Sequence, residues 1–202
     1  RRGGRGQFGV CVIELSPNNA GEGFEFEDKI FGGSIPQQFR PAVQKGVREA
    51  AARGVLCGFP LEDFTCALLD GKFHAVDSSE IAFKIAGSMA FKEAALLAQP
   101  TLMEPLMDIE ISIPDDAMGD VMGDLNSRRG RVQGMEPAGG HQQMIKAQIP
   151  LAEVLTYAPD LNSLTGGRGT YTMEFSHYDE VPAHLSQKII DDIKAKREAE
   201  AR

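Results

Sequence analysis

After two proline breaks, Gln99-Pro100-Thr101 and Glu104-Pro105, the chain takes up a strand–helix–strand–strand–helix–strand rhythm, and this order restricts the fold more than any other feature. Residues 106–113 read as a strand. Residues 115–128 place Met118, Val121, Met122 and Leu125 on one helical face. Two strands, 131–136 and 142–149, flank the breaker Pro137-Ala138-Gly139-Gly140, and a helix over 151–164 leads to a strand over 169–176. A βαββαβ order predicts a split-βαβ, ferredoxin-like domain. A further helix over 183–200 carries Leu185, Ile189 and Ile193 at four-residue spacing.

The first hundred residues read differently: strand, strand, helix, strand, helix. Residues 8–15 are rich in β-branched and apolar side chains and stop at Pro17-Asn18-Asn19; Phe24 and Phe26 alternate with Glu25. A helix over 37–53 uses Ala42, Val43, Val47, Ala50 and Ala51, has Pro41 near its first turn, and ends at Gly54. A strand over 64–69 is expected to end at the turn dipeptide Asp70-Gly71. The longest helix, 78–98, is expected to open on a capping box of Asp77 and Glu80 and to bury Ile81, Ile85, Met89 and Leu96. Lys72 and His74 then stand in a loop clamped between two rigid elements, a cationic and titratable pair at a polar tip. The fold class is thus α+β, with domains over 1–100 and 101–202.

Composition removes several functions. Among 202 residues, 42% are hydrophobic and 25% charged, an ordinary globular balance without a leader or an apolar run of membrane-spanning length. The three cysteines form no CxxC pair, so reduced, inert thiols in a cytoplasmic setting are expected. Net charge is −8, with −1 over residues 1–100 and −7 over 101–202. An indiscriminate nucleic-acid binder is thereby excluded, and any RNA contact must be local. Basic residues do cluster, at Arg1, Arg2 and Arg5 and at Arg128, Arg129 and Arg131. Cations near a helix C-terminus offset its dipole, which accounts for one of the second group more readily than for three.

Enzyme motifs are missing. Gly4-Arg5-Gly6-Gln7-Phe8-Gly9 matches GxGxxG, but a dinucleotide site needs a strand before it and a helix after it, and a strand follows here. The glycines instead keep a loop slim enough for backbone N–H groups to approach a ligand. His141, His177 and His184 are scattered, so neither a metal site nor a catalytic site is expected. Residues 168–175 faintly echo an RNA-recognition strand, yet their aromatic spacing suits a core strand better.

Several longer stretches resemble elongation factor G of bacteria: GGRGQFG at 3–9, HAVDSSEIAFKIAGSMAFKEA at 74–94, EPLM at 104–107, and GDVMGDLNSRRG at 119–130. PLAEV at 150–154, SLTGGRGTYTMEF at 163–175 and HYDEVP at 177–182 extend the likeness over nearly the whole chain. The resemblance implies that residues 1–100 form a domain IV of ribosomal-protein-S5-domain-2-like fold lacking its first strand. Residues 101–202 would form a ferredoxin-like domain V with a terminal helix. It further implies a tip that enters the decoding site during tRNA–mRNA translocation, built from Arg1, Arg2, Gly4, Arg5, Gln7, Lys72 and His74. Arg128, Arg129, Arg131 and Arg168 are implied as ribosomal-RNA contacts. The implied partners are the ribosome, tRNA–mRNA and the factor's other domains, with no membrane; GTP and magnesium are implied only for a GTPase domain outside this chain. Departures from the family pattern, Val10 for histidine and Thr156, Pro159 and Asn162 for glycine, threonine and arginine, leave a paralogue in ribosome recycling or rescue as an alternative. A non-ribosomal RNA- or protein-interaction module is the third reading.

Overall fold

The computed structural model describes residues 6–200. The chain divides into two units, one running to Pro100 and including residues from Gln187 onward, the other spanning Thr101–Ser186.

In the first unit the strands are β1 (Val10–Pro17), β2 (Phe24–Asp28) and β3 (Phe64–Lys72), in the order β1-β3-β2. β1 runs antiparallel to β3 and β2 parallel to it. The parallel pair requires a crossover, supplied by α1 (Arg40–Arg53). Pro41 sits in the first turn of α1, and the helix stops at Gly54, whose φ of 68° favours glycine. α2 (Glu80–Leu97) follows β3. Central β3 buries Phe64, Cys66 and Leu68, against Val43, Val47 and Ala50 of α1 and Phe83, Phe91 and Ala95 of α2.

Three local expectations are overturned here. The Asp70-Gly71 pair does not end β3, which continues to Lys72 with Gly71 opposite Cys11. The glycine serves a close approach: a Cβ there would stand 2.2 Å from the Val10 carbonyl oxygen and 2.5 Å from Ile35 Cδ1. Asp77 and Glu80 make no capping box; Ser79 is the N-cap, its Oγ accepting the Ala82 N–H at 3.1 Å. The third correction concerns the buried face of α2. Ile81, Ile85, Met89 and Leu96 are all more than half exposed, and Ala82, Phe83, Gly87, Phe91 and Ala95 are buried instead. The cause is steric. α1 and α2 meet backbone to backbone at two glycines: a Cβ on Gly46 would lie 2.0 Å from the Lys84 carbonyl oxygen, and one on Gly87 2.6 Å from that of Val43. Small residues therefore select the contact face over the greasier one.

The second unit follows the βαββαβ order. Its strands are β4 (Met103–Pro114), β5 (Arg131–Gly139), β6 (Gln142–Pro150) and β7 (Thr170–Glu180); its helices are α3 (Met118–Ser127) and α4 (Tyr157–Thr165). The sheet order β5-β6-β4-β7 with antiparallel pairing throughout is the ferredoxin-like arrangement. Ile109, Ile111 and Ile113 of β4 and Ile145, Ala147 and Ile149 of β6 face Val121, Leu125, Tyr157 and Leu161 of the helices. The last helix, α5 (Ala183–Glu200), has no buried residue.

Cys11 and Cys66 are unpaired thiols on neighbouring strands. Burial pushes Cys11 from its ordinary 9.0 up to about 11; burial, then the nearby Cys11, pushes Cys66 up to about 12. The folded chain keeps these protons where the unfolded chain releases them. Their contribution to stability is therefore whole below about pH 9 and is lost as pH rises through about 11 for Cys11 and about 12 for Cys66. Alkylation by iodoacetamide at pH 8 should leave both thiols unmodified in the folded chain and modify both in urea, read by peptide mass spectrometry. The helix contact yields a second expectation. Gly46→Ala should lower stability by about 1–3 kcal/mol through overpacking. Gly123→Ala, where nothing lies within 4 Å, should raise it by roughly 0.5–1 kcal/mol. Denaturant unfolding of the two variants checks the opposite signs.

Candidate nucleic-acid interface

β3 delivers Lys72 to the end of the first unit's sheet, and the chain then crosses to α2 through residues 73–79. The glycine-bearing segment 6–9 enters β1 beside this crossing. Ser78 joins the two. Its Oγ accepts the His74 N–H at 2.8 Å and donates to the Phe8 carbonyl at 2.8 Å. The Ser78 N–H closes the turn onto the His74 carbonyl at 3.0 Å, and the Phe8 N–H reaches the Asp77 carbonyl at 2.9 Å. Beside them the Ser79 hydroxyl donates to Gln7 Oε1 at 3.2 Å. The glycines are what let the two segments come this close: a Cβ on Gly6 would sit 2.9 Å from Asp77 Oδ1, and one on Gly9 3.3 Å from the Ala82 backbone.

Around this staple the side chains point to solvent. His74 is 57% exposed, with Nδ1 3.2 Å from Asp77 Oδ2. The Phe8 and His74 rings meet edge to face with centroids 6.3 Å apart. Lys72 and Gln7 are exposed, as are the apolar Phe73 and Val76. The structure thus brings Gln7, Lys72 and His74 to one tip. Arg1, Arg2, Gly4 and Arg5 lie outside the described residues. Ser78 and Asp77 hold the tip together and were missed as site residues because the Asp-Ser-Ser run reads locally as helix-start chemistry.

The arginines of the second unit separate into two kinds. Arg128, at the end of α3, donates to Asp124 (2.8 Å), Asp160 (2.6 Å) and the Glu153 carbonyl (2.8 Å), and its guanidinium lies 5.1 Å over the Tyr157 ring. Arg129, held at φ 61°, forks onto both Glu104 oxygens (2.6 and 3.0 Å) and reaches Glu153 (3.0 Å). These carboxylates raise both guanidinium pKa values, Asp124 most for Arg128 and Glu104 most for Arg129. The pair ties the end of α3 to β4 and to the segment entering α4. Arg131 and Arg168 are more exposed: Arg131 is 74% exposed and 3.8 Å from Asp179, whereas Arg168, 55% exposed, donates to both Asp116 oxygens (3.2 and 3.1 Å) and to the Thr165 carbonyl (3.1 Å). A cavity of about 230 Å³ next to Arg131 mixes Glu104, Asp179 and Glu180 with Arg129, Gln148 and the apolar Leu106, Pro150 and Pro182. Among the described residues no group of three or more His, Cys, Asp or Glu is placed to hold a metal ion. Among the same residues no helix is long and apolar enough to cross a membrane.

The chain is a two-unit α+β protein with a stapled polar tip on one unit and a ferredoxin-like second unit, and the comparisons with known proteins give its class. Residues 1–99 match the family model for elongation factor G, domain IV, and residues 101–189 match that for the elongation factor G C-terminus. The chain belongs to the elongation factor G family. It is 55% identical over 190 residues to elongation factor G of Aquifex pyrophilus, a match covering 94% of this chain and 27% of that protein. A crystal structure of a Thermus thermophilus protein superposes with a TM-score of 0.80 at 45% identity, covering 96% of this chain and 29% of that one. The chain therefore spans less than a third of the length of these relatives.

Ser78→Ala should free the two segments from each other. Amide exchange of residues 7–9 and 73–78 is expected to accelerate roughly tenfold, as loss of two hydrogen bonds allows, with the amides of β3 and α1 unchanged in hydrogen–deuterium exchange.

Proposed function

We propose that this chain is the ribosome-engaging part of a cytoplasmic translational GTPase of elongation factor G type. In this reading it promotes tRNA–mRNA translocation by placing the 6–9 and 73–79 tip in the decoding site. The observation that carries the reading is the Ser78 staple, which holds exposed Gln7, Lys72 and His74 on a preformed surface anchored by β3 and α2. A preformed tip avoids most of the ordering cost that a flexible loop would meet on binding RNA. Lys72 supplies a cation for phosphate, and His74 and Gln7 supply hydrogen bonds; Arg1, Arg2, Gly4 and Arg5 would extend the same surface. No bond is made or broken here. The tip acts as an obstacle that disfavours backward movement of the tRNA, and the energy comes from GTP hydrolysis in a domain outside this chain, where GTP and magnesium would bind.

Ribosomal RNA contact by the second unit is assigned to Arg131 and Arg168, whose guanidinium groups remain exposed. Arg128 and Arg129 would have to leave two carboxylates each to meet a phosphate. Their part in binding is to hold the unit's shape.

Replacing Lys72 and His74 together by alanine in the full-length factor should slow translocation about tenfold or more, as loss of two or more hydrogen bonds or ion contacts implies. Ribosome-stimulated GTP hydrolysis should be unaffected. Stopped-flow translocation with parallel phosphate-release kinetics reads both, and unchanged translocation removes the role given to the tip.

A further inference from the structure

β2 runs parallel to β3 and pairs its last residue, Asp28, with Leu68, so the loop over residues 29–36 leaves the sheet at the end that carries Lys72. Phe31 lies in this loop and is 99% exposed, more than any other large apolar side chain among the described residues. The loop around it is tied down. Arg40, at the start of α1, donates from Nε to the Ile35 carbonyl (3.0 Å), from Nη1 to Asp28 Oδ2 (3.1 Å) and from Nη2 to the Gly32 carbonyl (3.4 Å). Its own side chain is only 19% exposed, and the preceding Phe39 stacks on buried Phe83. On the sheet side, the Lys29 N–H binds the Leu68 carbonyl at 2.9 Å, and buried Ile35 fills the space that Gly71 leaves beside Lys72.

An aromatic ring on a slack loop would fold back onto apolar surface, because its burial is favourable. Here the ties at Asp28, Gly32 and Ile35 flank Phe31 on both sides and hold it out. At Gly32 and Gly33 nothing lies within 4 Å of a Cβ position, so a flat group can approach without meeting a side chain. An anchor for a protein pocket is ringed by contacts that exclude water, and a ring exposed all round has no such rim. A nucleobase needs only the π-face.

We propose that Phe31 is a stacking platform for an unpaired RNA base, carried on its own Arg40-anchored loop and separate from the surface of Gln7, Lys72 and His74. Single-stranded RNA is commonly held by aromatic side chains on which its splayed bases stack. On an acidic chain such a contact has a particular use, since a stacked ring adds affinity without requiring another cation. The inference rests on the ribosome-engaging reading given under Proposed function, and the tests separate the two.

Binding of the full-length factor to ribosomes carrying mRNA and tRNA reads the contact. Phe31→Ala and Phe31→Leu should each weaken binding roughly tenfold, within the span of one lost base stack, and Phe31→Tyr should bind as the wild type does. Wild-type affinity in Phe31→Leu means an apolar contact without stacking and overturns the proposal, as does wild-type affinity in Phe31→Ala. The partner is identified by replacing Phe31 with the photoreactive p-benzoylphenylalanine and irradiating the bound factor. Adducts on RNA, mapped to an unpaired nucleotide by reverse-transcription stops, are expected. Adducts on ribosomal protein alone, adducts only within paired RNA, or no adduct from a factor shown to be bound each overturn the assignment. If Phe31→Ala binds normally while the Lys72 and His74 double alanine variant is slow in translocation, the platform fails and the tip reading stands. If that double variant translocates normally while position 31 still gives RNA adducts and Phe31→Leu still binds weakly, the tip reading fails and the platform stands.

Discussion

The Ser78 hydroxyl joins its own turn to a position seventy residues earlier in sequence, taking a hydrogen bond from His74 and giving one to the Phe8 carbonyl. One such bond contributes about 1 kcal/mol net, whereas fixing a residue's backbone costs about 1–2 kcal/mol. Two bonds cannot order the 73–79 crossing by themselves. They suffice because the crossing is already anchored at both ends, by Lys72 as the last residue of β3 and by Ser79 as the N-cap of α2. The staple's work is to select one arrangement of a loop whose ends are fixed, and that selection is what places a lysine, a glutamine and a histidine on a common surface.

Behind the tip, the orientation of α2 depends on the approach of two helix backbones. Gly46 and Gly87 each lie against a carbonyl of the opposite helix at separations that no Cβ could share. Contact at that distance lets Phe83 and Phe91 reach the buried face of β3, where Phe64 packs on Phe91 with ring centroids 5.3 Å apart. The consequence is an outer face of Ile81, Ile85 and Met89 left in solvent. Hydrophobicity alone would have turned the helix onto that face and carried Ser79, and with it the staple, away from Gln7.

This is also why the sequence disclosed some features and concealed others. Order and type of elements were legible because they depend on local terms: the alternation of Phe24 and Phe26 about Glu25, Pro41 in a first turn, Gly54 at a helix end, and the βαββαβ order that admits few sheet arrangements. The buried face of α2 was not, since it is decided by a glycine pair whose members lie on different helices, Gly46 on α1 and Gly87 on α2. Asp70-Gly71 has turn composition, yet the glycine there answers to Ile35 and Val10 across the sheet. At 77–80, three consecutive polar residues could each cap a helix; which one does so depends on Phe8 and His74 competing for the other two. Of the tip residues, Lys72 and His74 were legible as a polar loop pair, while Asp77 and Ser78 become visible only once residues 6–9 are brought alongside.

The arginines follow the same logic with electrostatics in place of shape. Read along the chain, Arg128, Arg129 and Arg131 form one basic cluster. In three dimensions, Glu104, Asp124, Glu153 and Asp160 arrive from four segments and neutralise the first two. Both guanidinium groups are well shielded, with 16% and 27% of their side chains exposed, so these pairs exceed the small worth of an ordinary surface ion pair. Withdrawing either arginine toward a phosphate would strand carboxylates in a shielded site, a cost that a single phosphate contact does not clearly recover. On a chain of net charge −8, any anionic partner must therefore be met by cations that remain uncommitted. Of the basic residues at the tip and among the second unit's four site arginines that the structure describes, those are Lys72 and, less freely, Arg131 with one exposed carboxylate nearby, while Arg168 is exposed but already holds Asp116 and the Thr165 carbonyl. Binding through so few cations favours a partner recognised by shape and hydrogen bonds over one held by bulk charge.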